Sequence, residues 1–113
     1  MLHTNLEHIL SKADFQKILQ ENENVMICCG RMGPMCIPVY AAMSELKQEY
    51  PEVKFADFEF DHPDTNVIRN APEAKGFMGL PFTFYYKNGK TVAATSSVQS
   101  KEQIKTILDQ YFV

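Results

Sequence analysis

Residues 24–50 read NVMICCGRMGPMCIPVYAAMSELKQEY, and the rest of the chain is organised around this stretch. The apolar run at 25–29 has the length and composition of a strand that is covered on both faces. Glycines and a proline then break the chain within residues 30–34, and an amphipathic run follows at 35–50. The pattern predicts a strand, a tight loop and a helix.

Cys36 falls in the first turn of the predicted helix, in phase with its core positions Val39, Tyr40 and Met43. The start of a helix carries unpaired backbone N–H groups and the positive end of the helix dipole. A thiolate is stabilised there unless apolar surroundings seal the thiol. Cys36 is therefore a candidate redox thiol, and the alternative is an inert packing residue.

Composition and charge exclude several classes of function. The chain has 113 residues, of which 45% are apolar and 22% charged, and this predicts a single globular domain spanning 1–113. A net charge of −3 does not favour nucleic acid or an anionic membrane as a partner. No apolar segment approaches the roughly 18 residues of a membrane span. The first residues lack the pattern of a signal peptide, so we expect a cytoplasmic protein.

The flanking residues extend the strand–loop–helix unit in both directions. We predict strands at 6–10, 53–60, 82–86 and 91–96 and helices at 11–22, 65–70 and from residue 100 onward. Asn88-Gly89 predicts a hairpin, and Ser100 with Gln103 forms a capping box. The order β-α-β-α-β-α-β-β-α predicts an α/β fold with a mixed sheet and helices on both faces.

Residues 78–90, MGLPFTFYYKNGK, carry the most specific motif of the chain. In thioredoxins an apolar residue and a cis-proline precede a strand, and a Lys-Asn-Gly hairpin follows it. With the strand–loop–helix unit, the chain resembles the thioredoxin family over nearly its whole length. The resemblance implies the thioredoxin fold, with a mixed central sheet of four to five strands, and Pro81 as the cis-proline.

The loop of the resemblance departs from the family's Trp-Cys-Gly-Pro-Cys. This chain has Met32-Gly33-Pro34-Met35-Cys36, and two registers are open. Anchoring on Gly-Pro puts Met32 and Met35 in the two cysteine places. Anchoring on the helix, which we prefer, puts Gly33 in the place of the attacking cysteine and Cys36 in the place of the resolving one. Neither register keeps two cysteines three residues apart.

The three cysteines do not form a disulfide scaffold or a zinc pattern. Cys28 and Cys29 are predicted to be core-filling thiols on opposite faces of a strand. The alternative is that Cys29, which resembles in place a family tryptophan, turns toward the loop and approaches Cys36. The family's buried acid also has no counterpart, because Met26 and Ile27 occupy the nearest positions. We predict neither a metal nor a cofactor.

An apolar surface around the loop is the predicted substrate groove. Its members are Met32, Gly33, Pro34, Met35, Leu80 and Pro81. A groove of this kind binds an extended peptide by strand-like pairing, and methionine suits a tolerant surface. The acidic run Asp57, Glu59 and Asp61 is interpreted as a solvated face.

Three functional hypotheses follow. The first is thiol-disulfide oxidoreductase chemistry through a single cysteine, Cys36, with Cys29 as a weaker candidate. The second is a non-catalytic module that binds a peptide or protein, including thiol-bearing partners, at the loop and the Pro81 groove. The third is a dimer formed through the loop, either linked by Cys36 or non-covalent. For the oligomeric state we expect a monomer or a weak dimer.

Overall fold

The computed structural model describes residues 2–113, which form five strands and four α-helices. The strands are β1 (Glu7–Ile9), β2 (Asn24–Gly30), β3 (Val53–Glu59), β4 (Phe82–Lys87) and β5 (Lys90–Ser96). The helices are α1 (Lys12–Glu21), α2 (Ile37–Glu49), α3 (Asn66–Arg69) and α4 (Lys101–Tyr111). Short 3₁₀ turns at Pro63–Thr65 and Pro72–Ala74 flank α3. None of the described helices is long and apolar enough to cross a membrane.

The strands form one mixed sheet in the order β1-β3-β2-β4-β5. Strand β3 pairs in parallel with β1 and β2, and β4 pairs antiparallel with β2 and β5. The parallel pairs belong to the half of the chain that alternates strands and helices, because a parallel return needs a crossover. The predicted α/β class and mixed sheet are confirmed.

Each face of the sheet is covered by a separate group of helices. Buried residues of α2 and α4 pack in one core cluster with Met26, Cys28 and Tyr85. Buried residues of α1 and α3 pack in the other with Ile27 and Phe58. Because both faces are covered, residues 24–30 of the central strand β2 are all buried.

The apolar residues of strand β3 follow an irregular pattern in the sequence, and its burial on both faces explains that pattern. Val53 and Phe55 face the α2 side, while Ala56 and Phe58 face the α1 side. Because both faces of β3 are covered, apolar side chains can point to either face. The strand therefore alternates regularly from Phe55 to Phe58. Asp57, two residues after Phe55, faces the α2 side and is only 1% exposed. Its interpretation as part of a solvated face was wrong, because helix α2 covers that face of the sheet.

Helix α2 begins two residues later than its apolar pattern predicted. Residues 34–36 form a turn in which the N–H groups of Cys36 and Ile37 both donate to the Gly33 carbonyl, at 3.1 and 3.0 Å. Cys36 is the N-cap residue and gives no side-chain cap. Pro38 lies in the first turn, where its missing N–H costs little.

Two local signals are confirmed by backbone geometry. Asn88 and Gly89 have φ values of +53° and +80°, as a tight hairpin requires. The Ser100 hydroxyl accepts from the Gln103 N–H at 3.1 Å, and the Gln103 side chain accepts from the Ser100 N–H at 2.8 Å. This capping box starts α4 and so places Ile104 and Leu108 in the core.

Candidate functional site

The thiol of Cys36 lies where β2, the following loop and α2 meet. Its Sγ accepts a hydrogen bond from the backbone N–H of Arg31 at 3.4 Å, and the residue is 2% exposed. The Tyr40 hydroxyl, one turn into α2, donates to the Arg31 carbonyl at 3.0 Å. Both polar groups of the Arg31 backbone are therefore occupied by side chains from the start of the helix.

Gly30 is the residue that lets these groups come together. A β-carbon on Gly30 would lie 2.7 Å from Cys36 Sγ, 2.7 Å from the Tyr40 hydroxyl and 3.1 Å from Pro81 Cβ. Any side chain at this position would displace them. The peptide bond between Leu80 and Pro81 is cis. Cys36, Tyr40 and Pro81 thus converge on one point at the end of the central strand.

The loop is held from its outer side by Arg31. Its guanidinium makes two 2.8 Å bonds to the Asp61 carboxylate and lies 5.3 Å from the centre of the Phe60 ring. The Phe60 N–H donates to the Gly30 carbonyl at 2.8 Å, which ties the end of β2 to the segment after β3. Paired with Arg31, the Asp61 carboxyl has a pKa below its ordinary value.

Three apolar side chains protrude around the buried thiol. Met32, Met35 and Ile37 are 41%, 45% and 46% exposed, and we call them the loop rim. Met32 and Ile37 also line a shallow cavity of about 210 Å³ beside the N-terminal segment, where the His3 N–H lies 3.4 Å from Met32 Sδ. The rim is apolar surface left uncovered within the described residues.

The remaining predicted groove residues differ in exposure. Pro34 is exposed and Gly33 is half-buried, and a β-carbon on Gly33 would meet no atom within 4 Å. Leu80 is half-buried and packs against both core clusters, whereas Pro81 is buried. Cys36 and Pro81 are therefore brought together, and the residues of the loop rim lie on and beside the exposed turn.

Cys29 does not face the loop. Its side chain packs in the α1-side cluster with Ile27 and Phe58, on the opposite face from Cys36. The predicted core-filling role of Cys29 is confirmed, and the alternative in which it turns toward Cys36 is not observed, because alternation along β2 directs it away. Burial raises the pKa of its thiol well above the ordinary value. All three cysteines are free, and Cys28 is the one that shares a core cluster with Cys36.

A row of polar and thiol side chains crosses the whole sheet at the level of Cys28. Cys28 pairs with Asp57 on one side and Thr83 on the other, and these pair with His8 and Thr95 respectively. We call these five residues the cross-sheet row; they lie on the face that α2 covers. The hydroxyls of Thr83 and Thr95 have no hydrogen-bond partner among the described residues.

The carboxylate of Asp57 is the charged member of this row. It accepts from Thr4 Oγ1, and its oxygens lie 2.8 and 3.0 Å from Nδ1 of His8. Burial raises the pKa of Asp57, and the hydrogen bonds from Thr4 and His8 oppose that rise. The sequence pattern did not predict this network. The available signal was the alternation of Val53, Phe55 and Asp57 on one face of β3.

The ligating residues of the described chain do not form a metal centre. Among residues 2–113, no group of three or more histidine, cysteine, aspartate or glutamate side chains is placed to hold a metal ion. His8 belongs to the Asp57 network, and His62 accepts from the Asp64 N–H at a turn.

No protein-family model and no curated protein matches this sequence, but solved structures do. Plasmodium falciparum thioredoxin shares 21% identity with a TM-score of 0.72, covering 94% of this chain and 99% of that chain. Chlamydomonas reinhardtii thioredoxin f2 shares 17% with a TM-score of 0.77, covering 96% and 97%. Oxidised thioredoxin O2 of Arabidopsis thaliana shares 17% with a TM-score of 0.75, covering 99% and 98%. This chain therefore has the thioredoxin fold, as the resemblance implied.

Proposed function

We propose that this thioredoxin-fold protein carries out thiol-disulfide exchange with a protein or peptide disulfide, and that Cys36 is the thiol that forms the mixed disulfide. The observation that carries the proposal is the convergence of Cys36 Sγ, the Tyr40 hydroxyl and Pro81 on Gly30. A thiol sits at the junction of loop, helix start and cis-proline segment, while the Cys-x-x-Cys pair is absent. The proposed chemistry therefore starts from a single cysteine.

The surroundings of Cys36 favour exchange in one respect and restrain it in another. The Arg31 N–H points at Sγ, so a negative sulfur formed during exchange keeps a hydrogen-bond donor. The same residue is only 2% exposed, and a disulfide sulfur must reach Sγ before it can react. Exchange therefore requires the turn at 33–36 to move away from Gly30.

The loop rim supplies the docking surface in this proposal. Met32, Met35 and Ile37 expose apolar area next to the buried thiol. Unbranched methionine side chains adapt to different apolar partners. A partner segment that covers the rim brings its disulfide to the turn that shields Cys36. The proposal thus assigns recognition to the rim and chemistry to the thiol.

Reduction of insulin disulfides with dithiothreitol as the electron donor tests this function. The wild-type protein is expected to accelerate the reaction above dithiothreitol alone, and Cys36→Ser is expected to abolish the acceleration. Cys29→Ser is the matched control, because that thiol packs on the opposite face of the sheet. Wild-type activity no greater than that of Cys36→Ser would remove the redox proposal.

A non-catalytic binding module is the second candidate, and the burial of Cys36 beneath an exposed rim favours it. On this proposal the protein binds a peptide or protein at the rim and the Pro81 segment, and the thiol only packs. Binding would survive Cys36→Ser but be lost in Met32→Glu/Met35→Glu. Peptide-array binding followed by titration of the hits with these variants tests this candidate. The insulin assay separates the two candidates, because only the exchange function requires the Cys36 thiol.

A further inference from the structure

The surroundings of Cys28 are unusual for a thiol that only fills a core. Its neighbours across the sheet are the Asp57 carboxylate on one side and the Thr83 hydroxyl on the other. Thr83 is fully buried, and its hydroxyl has no partner among the described residues. Buried polar groups are normally satisfied, so an unpartnered hydroxyl opposite a thiol is a donor available to a negative sulfur.

Cys28 and Cys36 lie on the same face of the sheet. Residues 28 and 30 point to the same face of β2, about 7 Å apart along the strand. Cys36 Sγ lies 2.7 Å from the position of a β-carbon on Gly30. Cys36 thus approaches β2 at the position that a side chain on residue 30 would fill. Both thiols belong to the same core cluster, from which Cys29 is excluded.

Electrostatics agree with this placement. Burial raises the pKa of the Cys28 thiol well above its ordinary value, and the next largest contribution comes from Cys36. A charge on one of these sulfurs therefore acts on the other.

We propose that Cys28 is the second thiol of this protein and resolves the mixed disulfide formed at Cys36. This inference rests on the proposed exchange function. In the first step the Cys36 thiolate attacks one sulfur of a partner disulfide, and the partner's other sulfur leaves. In the second step the Cys28 thiolate attacks Cys36 Sγ, closes a Cys28–Cys36 disulfide and releases the first partner sulfur. The two thiol protons end on the two partner sulfurs, and the partner disulfide is the oxidant.

Of the two cysteines, Cys36 lies on a turn, whose movement would adjust its distance from Cys28. A disulfide requires Cα atoms within about 7 Å. Cys28 is fixed in the centre of the sheet, paired on both sides. Cys36 instead lies at the end of an exposed turn. Its side chain is held by one N–H bond from Arg31 and the contact with Gly30, while its backbone bonds to Gly33 and to the first turn of α2. Motion of this turn serves both access to the thiol and closure on Cys28.

Glutathione disulfide and tryptic mapping under non-reducing conditions test the proposal. Trypsin cleaves after Arg31, so Cys28 and Cys36 fall on different peptides and a bond between them joins the two. In the wild-type protein we expect the joined peptides and no bound glutathione at completion. In Cys28→Ser we expect glutathione to persist on Cys36, and in Cys29→Ser we expect the wild-type result.

Each outcome decides something different. Glutathione that persists on Cys36 in the wild-type protein as it does in Cys28→Ser would overturn this inference and leave the proposed function standing. The absence of any Cys36 adduct or bond in all variants would overturn both. Peptides joined in Cys28→Ser would identify Cys29 as the partner and also overturn the inference. Cys28→Ala, with its fold checked by circular dichroism, repeats the test with an apolar replacement.

Discussion

Cys36 Sγ lies 2.7 Å from the point where a β-carbon on Gly30 would be, closer than non-bonded carbon and sulfur atoms can approach. Gly30→Ala must therefore displace the thiol, the Tyr40 hydroxyl or the backbone. Overpacking of this kind costs about 1 to 3 kcal/mol. Urea unfolding of the two proteins measures the loss.

Gly33→Ala is the matched control for the change at Gly30. A β-carbon on Gly33 would meet nothing within 4 Å, so its effect on unfolding free energy is expected to stay within about 0.5 kcal/mol. In the double variant Gly30→Ala/Tyr40→Phe, removal of the hydroxyl should recover part of the loss. Equal losses at Gly30 and Gly33 would contradict the convergence of side chains on Gly30.

Gly33→Cys should give the loop a disulfide. The Cys36 N–H donates to the Gly33 carbonyl at 3.1 Å, so these two residues close a turn whose Cα atoms lie within about 7 Å. Open space around Gly33 admits the new thiol. We expect a bond between residues 33 and 36 under mild oxidation and a gain in insulin reduction over the wild-type protein.

The double variant Met32→Cys/Met35→Cys tests the other register of the loop. It restores the Cys-Gly-Pro-Cys sequence but places neither new cysteine at the buried N-cap position, which Cys36 already occupies. We expect it to be a weaker reductant than Gly33→Cys in the same assay. The reverse order would show that the loop aligns by its Gly-Pro pair.

The stability of the protein should depend on pH through Asp57. Burial raises the pKa of this carboxyl in the native state, so the native state binds the proton more tightly than the unfolded chain does. The contribution of Asp57 to the unfolding free energy therefore falls as the pH rises from about 4, the ordinary carboxyl pKa, through the raised native pKa. Asp57→Asn removes this dependence.

Chemical unfolding of both proteins at several pH values between about 4 and 7 measures the Asp57 effect. The stability of Asp57→Asn relative to the wild-type protein should increase with pH, because the variant carries no buried charge. His8 and Thr4, which hydrogen-bond the carboxylate, stay in place in both proteins. Parallel pH profiles would show that Asp57 does not titrate differently in the folded protein.

Ser100→Ala should destabilise the protein by about 1 kcal/mol, because it removes one half of the capping box. The Ser100 hydroxyl satisfies the Gln103 N–H, and α4 packs Ile104 and Leu108 in the α2-side cluster. Gln99→Ala, one residue before the cap, is expected to change stability by less than about 0.5 kcal/mol. Thermal or urea unfolding compares the pair.

Local rules predicted those parts of the fold whose cause lies within a few residues. The hairpin at Asn88-Gly89 needs only φ values that these residues tolerate, and the Ser100 cap needs only its third neighbour. The all-apolar run of β2 indicated a strand covered on both faces. The start of α2 was less predictable, since Met35 and Ile37 are apolar yet exposed.

The cross-sheet row could not be predicted from the sequence, because it depends on the pairing of strands far apart in the chain. The sequence puts Asp57 in phase with Val53 and Phe55 on β3, and this alternation indicates its face but not its partners. Its carboxylate is buried because α2 covers that face and because Thr4 and His8 arrive from the N-terminal segment. Cys28 and Cys29 point to opposite faces of β2. Which of them lies on the side of Cys36 therefore depends on which face α2 covers.

The cross-sheet row also favours the correct register of strand pairing. A shift of β3 by one residue would carry Asp57 to the face packed with Phe15 and Ile68, away from Thr4 and His8. A buried carboxylate that has lost its partners costs several kcal/mol, a large share of the stability of a small domain. Apolar neighbours alone would tolerate such a slip far better. Within the described sheet, the buried Asp57 therefore disfavours any pairing of β3 that turns this carboxylate to the other face.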